Sequence, residues 1–167
     1  MKKMMCAMMF VVMLVTMNSC SADDNAEETD NSTTPGTLIT NYSYNDSEIE
    51  TMKLINDYRV SIGLNALERT NHISFKCEEH NKYMIANNVM DHSNFATRSQ
   101  NIMLVLGAKS VAENVAYDYK TSAAVLKAWL DSPGHKANIE GDYTHFGLSV
   151  KTDAAGKKYY TNIFAKI

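Results

Sequence analysis

The sequence contains little cysteine: there are three cysteines in 167 residues, at positions 6, 20 and 77. Cys6 lies in a predicted signal segment and Cys20 in a predicted lipid-attachment motif, so residues 47–167 retain only Cys77. This excludes an intramolecular disulfide in the predicted domain, and with it the small disulfide-rich scaffolds of many secreted proteins. The domain must therefore be stabilised by packing.

Excess charge and several common catalytic motifs are also absent. Residues 1–46 carry two lysines and six acids, a net charge of −4; since the whole chain carries −3, residues 47–167 carry +1. A near-neutral domain gives no electrostatic reason to expect a nucleic-acid partner. The sequence has no Gly-x-Ser-x-Gly nucleophile elbow, no HExxH zinc motif and no Gly-rich phosphate loop.

The first residues predict a secretory signal. Met1–Lys3 is basic, and residues 4–17 form an apolar run that only Thr16 interrupts. Fourteen residues rise about 21 Å as a helix, which is short of the ~30 Å hydrocarbon core of a bilayer. We therefore predict a signal peptide over residues 1–19. A small transmembrane anchor is the alternative.

Residues 17–20 (Met-Asn-Ser-Cys) resemble a bacterial lipobox. The resemblance implies cleavage before Cys20 and lipidation of Cys20, whose acyl chains would hold the protein on a membrane. We expect a lipid-anchored protein of the cell envelope, at the outer membrane and facing the periplasm or the cell surface. Ordinary secretion with a free Cys20 thiol is the alternative.

The segment after Cys20 is acidic and poor in apolar residues, so residues 20–46 are predicted to be a disordered tether. Its acids also resemble the surface-export signal of Bacteroidetes lipoproteins, with a plain solvated spacer as the alternative.

Residues 47–167 predict a single domain in which helices precede strands. A capping box at Ser47 and Glu50 begins a helix that ends near Gly63. Apolar spacing predicts further helices over residues 71–87, 98–106 and 121–130, the last closed by Pro133-Gly134. After Gly141 two alternating runs flank a turn at residues 153–156, which predicts an antiparallel hairpin. This order gives the α+β class.

Four motifs carry a family resemblance: DHS at 91–93, AENVA at 112–116, WLDSPGHKANI at 129–139 and THFG at 144–147. Together they resemble the CAP superfamily (cysteine-rich secretory proteins, antigen 5 and pathogenesis-related proteins), in its bacterial secreted lipoprotein branch. The resemblance covers nearly all of residues 47–167. It implies a three-layer α–β–α sandwich with a small antiparallel sheet.

The resemblance also implies a cleft in which two histidines and two acids meet. His92 and His135 match the histidines, and Glu113 matches the first acid. Asp131 is the nearest candidate for the second acid, and His145 is expected to line the same cleft. Imidazole and carboxylate ligands suit Zn²⁺ or another divalent cation, which His92, His135 and Glu113 would hold. Without a metal, the same side chains would form a salt-bridge cluster.

These observations leave three functions open. The expected one is a binding module for an unidentified apolar ligand or protein partner, and not an enzyme. The second is a metal-assisted hydrolase of peptide or cell-wall material, with Glu113 as ligand or general base. The third is a structural tetrad with partner binding elsewhere on the surface.

Two weaker patterns are also present. Cys77 and His80 lie at i, i+3 of a predicted helix and could form a metal pair, although a half-buried thiol is the simpler interpretation. Seven tyrosines between positions 58 and 160 could line a groove for an apolar or glycan ligand, with scattered surface tyrosines as the alternative.

Overall fold

The structure is a computed structural model that describes residues 36–167. The predicted signal peptide, the lipidated Cys20 and most of the predicted tether lie outside the described residues. The described part forms five helices, α1 (Asp46–Ser61), α2 (Asn71–Asn87), α3 (Phe95–Leu106), α4 (Ser122–Asp131) and α5 (Pro133–Ile139). It also contains four strands, β1 (Glu68–Arg69), β2 (Ser110–Tyr117), β3 (His145–Thr152) and β4 (Lys158–Lys166). None of the helices in residues 36–167 has the length and apolarity needed to cross a bilayer.

The four strands form one sheet in the order β1-β3-β4-β2. The predicted hairpin is confirmed as β3 and β4, which pair antiparallel, and β2 pairs antiparallel with β4 on its other side. The three long strands form the predicted small antiparallel sheet, and the two-residue strand β1 adds one parallel pair with β3. The sheet is therefore mixed, with β1 and β2 as its two edges.

Helices cover both faces of the sheet, as the three-layer prediction requires. On one face, α1, α4 and α5 pack against β3 and β4 around Trp129, Phe146 and Tyr160. On the other face, α2 and α3 enclose a smaller core around Ile73, Ile102 and Ile163. Alternate residues of each strand enter different layers, because successive side chains of a strand point to opposite faces.

The domain begins earlier than the predicted boundary at residue 47. The capping box that begins α1 is formed by Asn45 and Glu48, not by Ser47 and Glu50: the Glu48 amide donates to Asn45 Oδ1 (3.0 Å) and the Asn45 amide to Glu48 Oε2 (2.9 Å). Upstream, the hydroxyl of Tyr42 donates to Glu48 Oε1 (3.0 Å) and lies 3.1 Å from the Ser149 hydroxyl. The last residues of the predicted tether are therefore held against the domain.

Candidate functional site

The edge strand β2 positions the candidate site. Glu113 faces the layer of α2 and α3, whereas Asn114 faces the layer of α4 and α5. The Asn114 amide donates to the carbonyl oxygen of His135 (3.0 Å), and Asn138 donates to Asn114 Oδ1 (2.8 Å). These bonds fix α5, and with it His135, against the edge strand.

On the other face of β2, Glu113 is the centre of an ion-pair cluster. Arg98 of α3 donates from Nε to Oε2 (3.0 Å) and from its terminal nitrogen NH2 to Oε1 (2.9 Å) and Oε2 (2.7 Å). His92 donates from Nδ1 to Oε1 (2.8 Å). The Glu113 side chain is 1% exposed and that of Arg98 9%, whereas His92 is 50% exposed. The cluster of His92, Arg98 and Glu113 thus presents only its histidine to solvent.

His135 approaches this cluster from the opposite layer. Partial burial lowers the pKa of His135, and the nearby charge of His92 lowers it further. Both effects favour a neutral imidazole at His135 near pH 7. Of the predicted residues, His92 and Glu113 are joined by a hydrogen bond, whereas His135 lies on α5 and is held to β2 through its backbone and Asn114.

Two other predicted residues lie elsewhere. The Asp131 carboxylate is 63% exposed and pairs with Lys127 (2.6 Å) one turn earlier on α4, so Asp131 does not act as the second cleft acid. His145 begins β3, two strands away from β2, where Nε2 lies 3.4 Å from Glu68 and Nδ1 lies 2.8 Å from the Thr144 hydroxyl. The expectation that His145 lines the same cleft is wrong.

The residue missing from the sequence prediction is Arg98. It occupies the space beside Glu113 where a second acid was expected, and it supplies charge of the opposite sign. Its sequence signal is weak, because an arginine in the first turn of a helix usually reaches solvent. A glutamate at the middle of a strand is the stronger signal, since such a carboxylate is not buried without a cationic partner.

The geometry does not fit the predicted metal site. A divalent cation would need the carboxylate lone pairs of Glu113, and both oxygens already accept from a guanidinium that holds its positive charge within 3.0 Å of them. Within residues 36–167, no three or more His, Cys, Asp or Glu side chains are grouped to hold a metal ion. The arrangement matches the salt-bridge cluster that the sequence left open as the alternative.

Cys77 and His80 likewise do not form a metal pair. Cys77 is fully buried, where its thiol donates to the carbonyl oxygen of Gly147 (3.5 Å) and burial raises its pKa. His80 donates from Nε2 to the carbonyl oxygen of Asp91 (2.8 Å), which fastens the loop that carries His92.

We expect the stability of the protein to fall as the pH is lowered from 7 to 5. Burial lowers the pKa of His80 below its ordinary value of 6.5, so the unfolded state binds protons more readily than the folded state. The stabilising contribution is complete above the unfolded pKa, declines as the pH falls below that value, and is fully lost below the lower pKa of the folded state. The urea midpoint, followed by Trp129 fluorescence, should therefore fall with acidification. The urea midpoint of His80→Gln should fall less steeply with pH. Burial also lowers the pKa values of His72 and His135, so these two residues contribute to the pH dependence in the same direction. An unchanged slope in His80→Gln would contradict this assignment.

A cavity of about 260 Å³ lies next to His135. We call it the Trp129 cavity; Trp129, Ala128, Val115 and Tyr119 form part of its wall. The Trp129 indole donates to the carbonyl oxygen of Val115 (3.2 Å), which orients the ring against β2. His135 and Ser132 add polar groups to the same wall.

Comparison with known proteins supports the resemblance drawn from the motifs. The family model described as cysteine-rich secretory protein family (CAP) matches residues 52–164. YlbC of Bacillus subtilis (strain 168), named an uncharacterized membrane protein, is 35% identical over 124 residues, which are 72% of this chain and 34% of that protein. YkwD of the same organism, named an uncharacterized protein, is 28% identical over 145 residues, 80% of this chain and 54% of that protein. The chain thus spans about a third and about half the lengths of these two relatives.

Solved structures show the same fold. An extracellular protein containing an SCP domain from Bacillus anthracis str. Ames is 25% identical with a TM-score of 0.65, covering 72% of this chain and 40% of that chain. An outer surface protein from Borrelia burgdorferi is 23% identical with a TM-score of 0.62, covering 70% of this chain and 92% of that chain. The predicted three-layer α+β architecture is thereby confirmed.

Proposed function

Because the chain belongs to the cysteine-rich secretory protein (CAP) family, we propose that it is a binding module of the cell envelope that captures a small amphipathic ligand in the Trp129 cavity. The observation that carries the proposal is the cavity itself, a concavity of about 260 Å³ in which Ala128 and Trp129 form apolar wall and His135 contributes a polar group. A concave, mostly apolar site with a few polar groups at one side is the usual form of a small-molecule site.

The ion pair of Glu113 favours binding over hydrolysis. A general base needs a carboxylate lone pair directed at the reacting water or substrate. In Glu113 both oxygens accept from Arg98, and the side chain is 1% exposed. The carboxylate therefore serves to hold His92 and α3 in place, and we propose no chemical step through it.

Attachment to the envelope rests on the N-terminal sequence. We propose that Cys20 carries the lipid and that the acidic residues after it separate the domain from the membrane. Relatives named as membrane, extracellular and outer surface proteins support this location. The finer assignment, to the outer membrane and to the periplasmic or external side, remains part of the proposal.

The experiment fills the cavity and observes Trp129, the only tryptophan of the chain. The full chain, held in phosphatidylcholine vesicles, is titrated with N-acetylglucosamine, N-acetylmuramic acid, glucuronic acid and octanoate while Trp129 emission is recorded. At least one of these compounds should cause a saturable change. Ala128→Leu, which places a larger side chain in the cavity wall, should weaken that binding by about tenfold or more, equivalent to about 1.4 kcal/mol.

The matched control is Ala123→Leu, which adds the same side chain at an exposed position of the same helix. It should leave the affinity unchanged. The proposal fails if none of the four compounds gives a saturable signal. It also fails if zinc binds saturably and this binding is lost in both His92→Ala and His135→Ala. The site would then be a metal centre, and the metal-assisted hydrolase would become the favoured function.

A further inference from the structure

The tyrosines of the domain differ in what their hydroxyls contact. Four of them donate their hydroxyls to partners within the protein: Tyr42, Tyr44, Tyr58 and Tyr160. In the part of the chain that the structure describes, the hydroxyls of Tyr117, Tyr119 and Tyr159 make no hydrogen bond. These three also line cavities, Tyr117 and Tyr119 the Trp129 cavity and Tyr117 and Tyr159 the cavity beside it. Tyr117 is 42% exposed and Tyr119 is half-buried, so both can contact a ligand, whereas Tyr159 is 2% exposed and stacks against the Tyr117 ring.

The second cavity has a volume of about 300 Å³, and we call it the Lys157 cavity. Asn88 and Lys157 contribute to its wall, and it shares Met90 and Tyr117 with the Trp129 cavity. Met90 is 45% exposed and Tyr117 42% exposed. The two cavities therefore lie side by side along an exposed aromatic and thioether wall.

Lys157 supplies a positive charge at one end of this arrangement. Its Nζ lies 5.2 Å from the ring centroid of Tyr117 and 5.9 Å from that of Tyr159, and the two rings stack with centroids 6.0 Å apart. Within residues 36–167 no carboxylate lies within ion-pair distance of Lys157, whereas Lys120 and Lys127 on the neighbouring surface each have one. Cation–π contacts hold the ammonium group over the rings without neutralising it, so its charge is available to an anion.

From this arrangement we propose that the two cavities form one groove that binds a carboxylate-bearing saccharide, with the carboxylate at Lys157 and the sugar ring against Tyr117 and Tyr119. The inference rests on the proposed function and names its ligand class. A pyranose presents an apolar C–H face that packs on an aromatic ring and hydroxyls that bond to tyrosine hydroxyls and to the Asn88 amide. The apolar wall at Ala128 and Trp129 suits a methyl substituent such as that of an acetamido group.

A fatty acid matches the groove less well. An acyl chain requires a continuous apolar channel, and the Lys157 cavity interrupts it with Asn88 and Lys157. Leaving their amide and ammonium groups desolvated beside a hydrocarbon chain would be unfavourable. The charge and the aromatic faces together favour an acidic sugar.

Carboxylate-bearing saccharides occur both in bacterial cell walls and in uronic polysaccharides, and the titration distinguishes these two sources. N-acetylmuramic acid carries a lactyl carboxylate of the kind found in bacterial cell walls, and glucuronic acid represents uronic polysaccharides. N-acetylglucosamine is the neutral counterpart of the first, and octanoate carries a carboxylate without a sugar. At pH 7.5, we expect one or both acidic sugars to shift Trp129 emission with an affinity about tenfold tighter than that of N-acetylglucosamine. The acidic sugar that binds more tightly identifies the source.

Variants assign the two contacts. Lys157→Gln should remove the tenfold preference for the acidic sugar while leaving the neutral sugar unchanged. Tyr117→Leu should weaken both sugars. Lys109→Gln is the matched control, since it makes the same charge change at an exposed position beside the opposite end of β2, and it should bind like the unaltered protein.

Three results distinguish failure of the acidic-saccharide inference from failure of the proposed binding function. If octanoate binds as tightly as the acidic sugars, the inference is wrong and the binding module stands. The same conclusion follows if Lys157→Gln keeps the preference for the acidic sugar. If none of the compounds binds, the proposed function fails together with the inference.

Discussion

Replacing Arg98 with methionine is expected to cost the folded state about 3–5 kcal/mol, the range observed when one partner of a buried ion pair is removed. Glu113 is 1% exposed and would retain only the bond from His92, so its carboxylate would be left largely uncompensated in a site that water does not reach. Urea unfolding of the full chain, followed by the emission of buried Trp129, measures the loss.

The double substitution Arg98→Met with Glu113→Gln separates loss of charge balance from loss of packing. A neutral amide needs no counter-ion, so the double variant should lose about 1–3 kcal/mol less than the summed losses of Arg98→Met and Glu113→Gln, a coupling of the size found for residues in direct contact. Lys53→Met is the surface control: its pair with Asp57 is 71% and 56% exposed, and exposed pairs contribute at most about 1 kcal/mol. A double variant whose two losses simply add would show that Arg98 does not neutralise Glu113.

The long elements of the fold could be predicted because their patterns are local. Apolar residues at helical spacing predicted α2 with the bounds that the structure gives, and alternating residues after Gly141 predicted β3 and β4. Strand β2 was not predicted, because two polar residues, Glu113 and Asn114, stand at its centre. Their burial depends on α3 and α5, which flank the strand and supply the partners of both side chains.

Helix α5 was not predicted. Pro133-Gly134 indicates the end of α4, but proline also suits the first turn of a new helix.

Site residues that belong to a short motif could be predicted from the sequence. Those whose position depends on tertiary packing could not. The motifs led to His92, Glu113 and His135; the first two are hydrogen-bonded to each other, and His135 lines the Trp129 cavity. Asp131 was chosen by its distance along the chain, but its position on α4 directs the carboxylate to Lys127 and solvent. His145 and Arg98 depend on sheet order and on the docking of α3, which are long-range features that no short motif records.

Gly147→Ala is expected to destabilise the protein by about 3 kcal/mol or more, the upper range for overpacking a core. Gly147 lies in β3 where α2 crosses the sheet, and a Cβ built on it would lie 2.6 Å from the carbonyl carbon of Ile73 and 2.7 Å from its Cβ. Rigid backbone on both sides cannot move aside locally, so β3 and α2 would have to separate. Their separation would strain the bonds from Cys77 and Asn162 to the Gly147 carbonyl oxygen, 3.5 Å and 2.7 Å.

Gly134→Ala provides the matched comparison, because it adds the same methyl group where a Cβ would meet no atom within 4 Å. Gly134 lies in the first turn of α5, where alanine should leave the stability unchanged or raise it by up to about 1 kcal/mol. Urea unfolding of the two variants under identical conditions compares the crowded position with the open one. Equal stabilities would show that α2 can shift away from β3 at little cost. The close contact between helix and strand would then be adjustable, and the core between α2 and the sheet would not depend on glycine at position 147.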